Sequence, residues 1–367
     1  MTRLKNRMAF FLPGLYEGGA ERIILNLIKA VAERGYPADL VLARAEGPYM
    51  NQIPDSVRLV DLKAARVLTC IPSLVHYLNS EQPVVLLSAL FTNVVALISR
   101  RLSGLPCRIV ISEHNTLSSM TQNQADLRWQ IYPRLARWLY PWADEIIAVS
   151  NSVADDLAKA ITIPRGRIQV VVNPVVTPGL RRKSEESLTH PWFEIGGPPV
   201  ILSVGRLTSQ KAFDVLIQAF SCVRKIRPVR LLILGEGEER LRLETLVRQL
   251  DLEQDVHFLG FMQNPYPYMA RAALFVLSSR WEGLPTVLIE ALYLGTPIIA
   301  TDCPGGSREI LKDGEYGQLV PVDCPQALAD AIEKLLDSHL PCPPNESWMP
   351  YSLDFVVDRY LRLLLGV

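Results

Sequence analysis

Residues 278–302 read SSRWEGLPTVLIEALYLGTPIIATD. The stretch holds one step of a parallel sheet: the end of an apolar strand, a Gly-Leu-Pro break, an apolar helix and a second strand, PIIATD. Proline is tolerated in the first turn of a helix, so the helix begins at Pro285 or Thr286. A protein interior has little use for a carboxylate, yet Glu290 sits among Leu288, Ile289, Ala291 and Leu292, and Glu282 stands eight positions earlier beside Trp281. Two acids therefore flank the start of an apolar helix, and the spacing asks for a chemical reason.

The same alternation extends in both directions. Upstream, MAFFL (Met8 to Leu12) leads through PGLYEGGAE into the amphipathic segment RIILNLIKAVAER, which Gly35 closes before ADLVLA. PVVLLS, CRIVISEH, DEIIAVS and RIQVVVNP continue the series. Residues 173–199, NPVVTPGLRRKSEESLTHPWFEIGGPP, break it with proline, glycine and charge. A second series follows: PVILSVG, RLLILGEGEE, VHFLG, ALFVLSS, PIIATD and GQLVPV, with helical segments between them. Short apolar runs alternating with helical periodicity mean βα units and parallel sheets. The reading is α/β, with two doubly wound Rossmann-like domains: 1–172, 173–345, and a terminal helix in 346–367.

Bulk properties narrow the class. The 367 residues are enough for two domains, and 49% of them are hydrophobic against 21% charged. Thirty-eight lysines and arginines balance 38 acids, so no global field draws nucleic acid. Cys70, Cys107, Cys222, Cys303, Cys324 and Cys342 form no Cys-x-x-Cys pair, which argues against zinc and a disulfide framework and fits a reducing cytoplasm. The apolar run after MTRLKNR is too short for a secretory signal, and the uncharged stretch Gln82 to Ser99 is interrupted by Ser88, Thr92 and Asn93 and reads as a strand entering a helix.

Ligands of open parallel sheets bind beyond the carboxyl ends of the strands. Four such places carry candidate groups. At the first, Gly18 and Gly19 let a ligand approach the backbone beside a helix N-terminus. Gly-x-Gly-x-x-Gly is missing there, and Asp39 precedes its strand rather than ending it. At the second, SVGRLTSQKAF, Arg206 and Lys211 are five apart, a guanidinium and an ammonium suited to a diphosphate. At the third, the amides of Gly283, Leu284, Pro285 and Thr286 would meet a diphosphate at the helix start, with Glu290 reaching a ribose and Glu282 a sugar. The plainer alternative is a helix cap by Glu282 and a buried ion pair for Glu290. At the fourth, ISEHNT, His114 would project from a strand end.

Taken together, SVGRLTSQKAFDVLIQAF, LLILGEGEER, LGFM, LFVLSSRWEGLPTVLIEALYLGTPIIATDCPGGSREIL and GQLVP resemble the retaining nucleotide-sugar glycosyltransferases of family 4. The likeness is close across about 200–340; GGAER, SEHN and ADEIIAVSNSVADDL match more loosely. The resemblance implies the GT-B fold, with the two domains facing across a deep cleft, the first on the acceptor side and the second binding the nucleotide sugar. It also implies a terminal helix returning to the first domain. A UDP-sugar would be the donor: Arg206 and Lys211 on the diphosphate, Glu290 on the ribose, Glu282 and His114 at the sugar, Gly18 and Gly19 on the distal phosphate, Phe261 near the base. The family works without a metal or other cofactor, and no Asp-x-Asp stands on a loop here to hold one. Retention would follow from front-side displacement through an oxocarbenium-like state, the departing phosphate taking the acceptor's proton.

The acceptor reading is a saccharide or a polyprenyl-diphosphate-linked saccharide. DLRWQIYPRLARWLYPWADE interleaves Arg128, Arg134 and Arg137 with Trp129, Tyr132, Trp138, Tyr140 and Trp142. That mixture suits peripheral contact with the inner face of a membrane, or equally an ordinary helix with buried rings and solvated arginines. Two other functions fit the same motifs: a silent nucleotide-sugar-binding scaffold subunit, or a GT-B nucleotide-sugar epimerase. Release of nucleoside diphosphate from a donor panel separates them from transfer.

Overall fold

The computed structural model describes residues 7–16, 18–123, 127–337 and 343–366, and their side chains except those of 120 and 122–130. The chain forms two compact units: unit 1, Met1–Val175 with Tyr351–Val367, and unit 2, Val176–Pro350. The domains expected from sequence end at 172 and 345; the units change over at Val175/Val176 and Pro350/Tyr351.

Unit 1 holds strands β1 (Met8–Leu12), β2 (Ala38–Leu42), β3 (Val57–Asp61), β4 (Val85–Ala89), β5 (Arg108–Glu113), β6 (Glu145–Ala148) and β7 (Ile168–Val170). They form one sheet in the order β3-β2-β1-β4-β5-β6-β7, each pair parallel, with Phe10 opposite Leu40 on one side and Leu87 on the other. Its helices are α1 (Gly19–Glu33), α2 (Ile71–Glu81), α3 (Asn93–Ser103), α4 (Leu117–Asn123), α5 (Leu127–Leu139) and α6 (Asn151–Ile161). The uncharged stretch is accounted for by β4 and the first part of α3. Among the described residues no helix is long and apolar enough to cross a membrane.

Unit 2 starts with α7 (Leu180–Ser184) and then runs β8 (Val200–Val204), α8 (Phe213–Ile226), β9 (Arg230–Leu234), α9 (Arg240–Gln249), β10 (Val256–Gly260) and α10 (Tyr266–Arg271). It continues with β11 (Leu274–Leu277), α11 (Thr286–Leu294), β12 (Ile298–Thr301), α12 (Ser307–Ile310), β13 (Gln318–Val320) and α13 (Pro325–Leu336). The parallel sheet runs β10-β9-β8-β11-β12-β13. Buried Ile201, Leu231, Ile233, Val276 and Ile299 pack against Leu216, Phe220 and Ile332 of the covering helices. The chain then returns to unit 1 as α14 (Leu353–Leu365), which packs on α1, β4 and β5. Arg108 of β5 donates through Nε to the Leu363 carbonyl (3.2 Å), and Arg34 pairs with Asp358 (3.3 Å).

Sheet order fixes where a ligand site can form. Strand order reverses between β1 and β4 in unit 1 and between β8 and β11 in unit 2. At such a switch the loops leaving neighbouring strands turn to opposite faces and open a crevice.

Candidate active site

At the unit 2 switch point the loop after β8 and the loop after β11 are bonded to each other. Arg280 N–H donates to the Gln210 carbonyl (2.8 Å), Gln210 Nε2 to the Trp281 carbonyl (2.8 Å), and Ser278 Oγ to the Lys211 carbonyl (2.8 Å). The Arg280 guanidinium adds Ser209 O (2.7 Å) and Asp323 (2.7 Å). Lys211 ends a short 3-10 turn, and Ala212 follows it in the left-handed region at φ 49°, which turns the chain into α8.

Within this frame Lys211 Nζ donates to Glu282 Oε1 at 2.5 Å, and Ser279 Oγ donates to the same oxygen at 2.6 Å. The side chains are 17% and 7% exposed, so the carboxylate is desolvated and the ammonium is its compensation. Glu282 does not cap α11: the N-cap is Pro285, and no side chain bonds to it. The sequence places Lys211 at the diphosphate and Glu282 at the sugar, whereas here the two share an oxygen. Arg206 is exposed, and its guanidinium makes no hydrogen bond or ion pair among the described residues. The pair is neutral as a whole, and Arg206 leaves the loop a free positive charge.

The helix start differs from expectation in one respect. Pro285 has no N–H, so the amide donors in the stretch are Gly283, Leu284 and Thr286, all buried. The loop after β12 presses on them: Gly306 N–H donates to Gly283 O (2.8 Å) and Glu282 N–H to Pro304 O (2.8 Å). Gly305, at φ 128°, is obligatory, because a Cβ there would stand 2.2 Å from Glu282 O. Glu290 is 1% exposed in the second turn of α11, and the Tyr266 hydroxyl of α10 donates to its Oε1 (3.3 Å). Phe261, half-buried, follows Gly260 at the tip of β10.

In unit 1, Gly18 is the N-cap of α1 and Gly19 its first residue. A Cβ on Gly18 would fall 1.9 Å from Glu21 Oε2, so a buried carboxylate already lies over this helix end where the sequence leaves room for a phosphate. Asp39 is a structural acid. Fully buried, it accepts from Arg7 (2.5 Å), Arg58 (3.0 Å) and Tyr77 (2.7 Å). A recess of about 660 Å³ beside β3 and α2, lined by Arg58, Lys63, His76 and Glu81, holds none of the candidate donor residues.

His114 follows β5 and is 7% exposed. Burial lowers its imidazole from 6.5 to about 4, so the ring is neutral near pH 7. Its Nε2 lies 3.1 Å from Ser112 Oγ, and its Nδ1 has no hydrogen bond with a described residue. The neighbouring Glu113 points into a buried polar group: Tyr140 donates to its Oε1, Asn93 Nδ2 donates to the same atom (3.0 Å), and Tyr132 lies 2.9 Å from the Tyr140 oxygen. Burial pushes the Glu113 carboxyl from 4.5 up to about 7.

Sequence reading missed Ser279, Gln210, Tyr266, Gly305 and Glu113. Ser279 acts on Glu282 three positions away within one loop, whereas Gln210, Tyr266, Gly305 and Glu113 act through partners at least 20 positions away that only the fold supplies. Among the described residues no group of three or more His, Cys, Asp or Glu is placed to hold a metal ion.

Two parallel-sheet units, of seven and six strands, with cations, a helix start and a buried acid gathered at the second unit's switch point, have the architecture of the GT-B class. Residues 17–177 match the model of Glycosyltransferase Family 4, and residues 186–349 that of Glycosyl transferases group 1. The chain belongs to this family of GT-B glycosyltransferases. It is 29% identical over 344 residues, 90% of each chain, to the Campylobacter jejuni N-acetylgalactosamine-N,N'-diacetylbacillosaminyl-diphospho-undecaprenol 4-alpha-N-acetylgalactosaminyltransferase. It is 26% identical, across 95% of this chain and 96% of the other, to a lipopolysaccharide core biosynthesis glycosyltransferase of Rhizobium meliloti. Among solved structures, Anabaena HepE in complex with UDP superposes with a TM-score of 0.76 at 19% identity, over 99% of this chain and 100% of that one.

Proposed function

We propose that the protein moves a hexose or N-acetylhexosamine from a UDP-sugar to a saccharide or polyprenyl-diphosphate-linked acceptor, with retention at the anomeric carbon and without a metal. The observation that carries the reading is the Lys211–Glu282 pair beside exposed Arg206, at the start of α11. A diphosphate entering here exchanges partners with the pair. Lys211 turns to a phosphate oxygen, and Glu282 is released to accept from sugar hydroxyls. Arg206 takes the remaining charge, which grows as the phosphate departs. Glu290, already held by Tyr266, is set to accept from ribose hydroxyls, and the amides of Gly283, Leu284 and Thr286 face the diphosphate. His114 is assigned to the sugar and Phe261 to the base, and Gly18 and Gly19 to the distal phosphate, which must displace the Glu21 carboxylate from the helix end.

The names of the relatives support the choice of donor and acceptor: one C. jejuni relative is described by transfer of N-acetylgalactosamine to a diphospho-undecaprenol carrier. A carrier of that kind favours work at the inner face of a membrane. Ile131, Leu135, Trp138 and Trp142, 42%, 41%, 75% and 45% exposed, are spaced four, three and four apart through α5 and the turn after it. Exposed Arg134 and Arg137 lie among them, a pattern suited to an anionic interface. Arg128 and Trp129 lie outside the described side chains.

The test is release of nucleoside diphosphate from a panel of UDP- and GDP-sugars, with and without lipid-linked saccharide. Arg206→Ala and Lys211→Ala should each lower turnover about a hundredfold, more than they weaken UDP binding, and a chelator should leave turnover unchanged. Full turnover in the double variant refutes the site. An inverted product refutes retention.

A further inference from the structure

The acid assigned to the ribose is oriented from a neighbouring short helix. Glu290 and Tyr266 are both buried, and the Tyr266 hydroxyl of α10 donates to Glu290 Oε1 at 3.3 Å. The last torsion of a glutamate side chain is broad, so the side chain by itself does not select the plane of its carboxylate. A phenol bonded to one oxygen does. At 3.3 Å the bond is already long for O–H···O, and a slight further shift of α10 would lose it. The placement of α10 is therefore decisive.

With six residues, YPYMAR, α10 is too short to hold itself as a helix, and its support comes from α7 at both ends. Before the helix, Asn264 Oδ1 accepts from the Tyr266 N–H (3.3 Å), while Asn264 Nδ2 donates to the Lys183 carbonyl (3.0 Å) and to Glu186 Oε2 (2.8 Å). At its end, Arg271 donates through Nη1 to the Ser184 (3.1 Å) and Pro267 (3.0 Å) carbonyls, and through Nη2 to the Glu186 carbonyl (3.3 Å). The last carbonyls of a helix have no partner within it, so the end of α7 offers acceptors that Asn264 and Arg271 satisfy. From the other side, Thr296, just past α11, donates through Oγ1 to the Met269 carbonyl (2.7 Å). We propose that Tyr266 is a positioning residue for ribose recognition and that Arg271, with Asn264, holds it in place: the clamp on α10 fixes the plane in which both oxygens of Glu290 meet the vicinal hydroxyls of the nucleotide. The inference rests on the reading of Glu290 as the ribose contact, and it extends that contact to residues of α7 and α10.

The experiment is calorimetric titration of the full-length protein with UDP and with 2′-deoxy-UDP, read as the ratio of the two dissociation constants. The wild type should bind UDP about 10- to 100-fold more tightly, the worth of a hydrogen bond to a charged group. Tyr266→Phe keeps the ring, removes only the hydroxyl and should lower the ratio about 3- to 10-fold. Arg271→Met keeps the aliphatic stem, loses the fork and should lower the ratio likewise. Arg271→Lys, able to reach one carbonyl, should fall between. Damage to the fold alone would weaken both nucleotides equally and leave the ratio as it was. An unchanged ratio in Tyr266→Phe overturns the proposal even if an Arg271 variant fails to fold, and an unchanged ratio in Arg271→Met overturns the clamp. If the wild type binds neither nucleotide or does not distinguish them, or if Glu290→Ala keeps the preference, the ribose contact itself is refuted and the proposal with it. If Glu290→Ala erases the preference while Tyr266→Phe keeps it, the contact stands and the positioning role falls.

Discussion

Glu113→Gln tests how the tip of β5 is held, and its effect can be worked out before it is measured. Burial outweighs the bonds from Tyr140 and Asn93 and, with repulsion from Asp156, puts the carboxyl at about 7 instead of 4.5. Tyr132 and Tyr140 are pushed well above 10, chiefly by burial, and remain protonated. Between 4.5 and about 7 the folded chain therefore holds a proton that the unfolded chain has lost. Stability is fully present below 4.5 and declines as pH rises through about 7. The whole change amounts to about 3 kcal/mol, of which roughly 2 to 3 kcal/mol falls between about pH 5 and about pH 8. His114 works in the opposite sense. Lowered from 6.5 to about 4, it contributes stability present above 6.5 and lost as pH falls through about 4. Over the shared window the two slopes oppose each other, and a wild-type profile alone conceals both. The difference between wild type and Glu113→Gln cancels His114. Urea unfolding at the two pH values, read by hydrogen exchange of the β5 peptide, follows unit 1 separately from unit 2. The glutamine variant should gain roughly 2 to 3 kcal/mol on the wild type from the lower pH to the higher. A difference that stays constant to within about 0.5 kcal/mol would show that Glu113 does not titrate in this window.

Two further outcomes follow from the geometry. Gly305→Ala places a Cβ on Glu282 O in a backbone region that side chains avoid, so it should cost about 1–3 kcal/mol and depress turnover with it, measured by thermal unfolding and diphosphate release. Trp138→Ser combined with Trp142→Ser should abolish flotation with anionic vesicles while leaving turnover of a water-soluble donor alone. Unchanged flotation would make α5 an ordinary surface helix.

Much of the architecture is legible in the chain because strands buried on both faces read as short apolar runs whatever surrounds them. MAFFL, PVILSVG and PIIATD were identifiable as strands without any knowledge of their neighbours. β3 escaped notice because it is an edge strand whose residues VRLVD are largely exposed. Arg58 and Asp61 interrupt its apolar residues, so no apolar run marks it.

The candidate site divides the same way. Position after a strand points to Arg206, Lys211, Glu282 and His114, since loops at the carboxyl ends are where a parallel sheet opens. What each residue touches is not a local property. Lys211 and Glu282 are 71 positions apart and meet because β8 and β11 are neighbours in the sheet. Glu21 lies over the N-terminus of α1 because Gly18 has no side chain to keep it away. Arg108 and Leu363 come from distant parts of the chain, joined because the final helix returns to unit 1. Periodicity and turn chemistry act over a few residues, so the sequence alone settles the elements and their polarity. Pairing, burial and the resulting charge states depend on which strands lie side by side, and that was decided only by the folded chain.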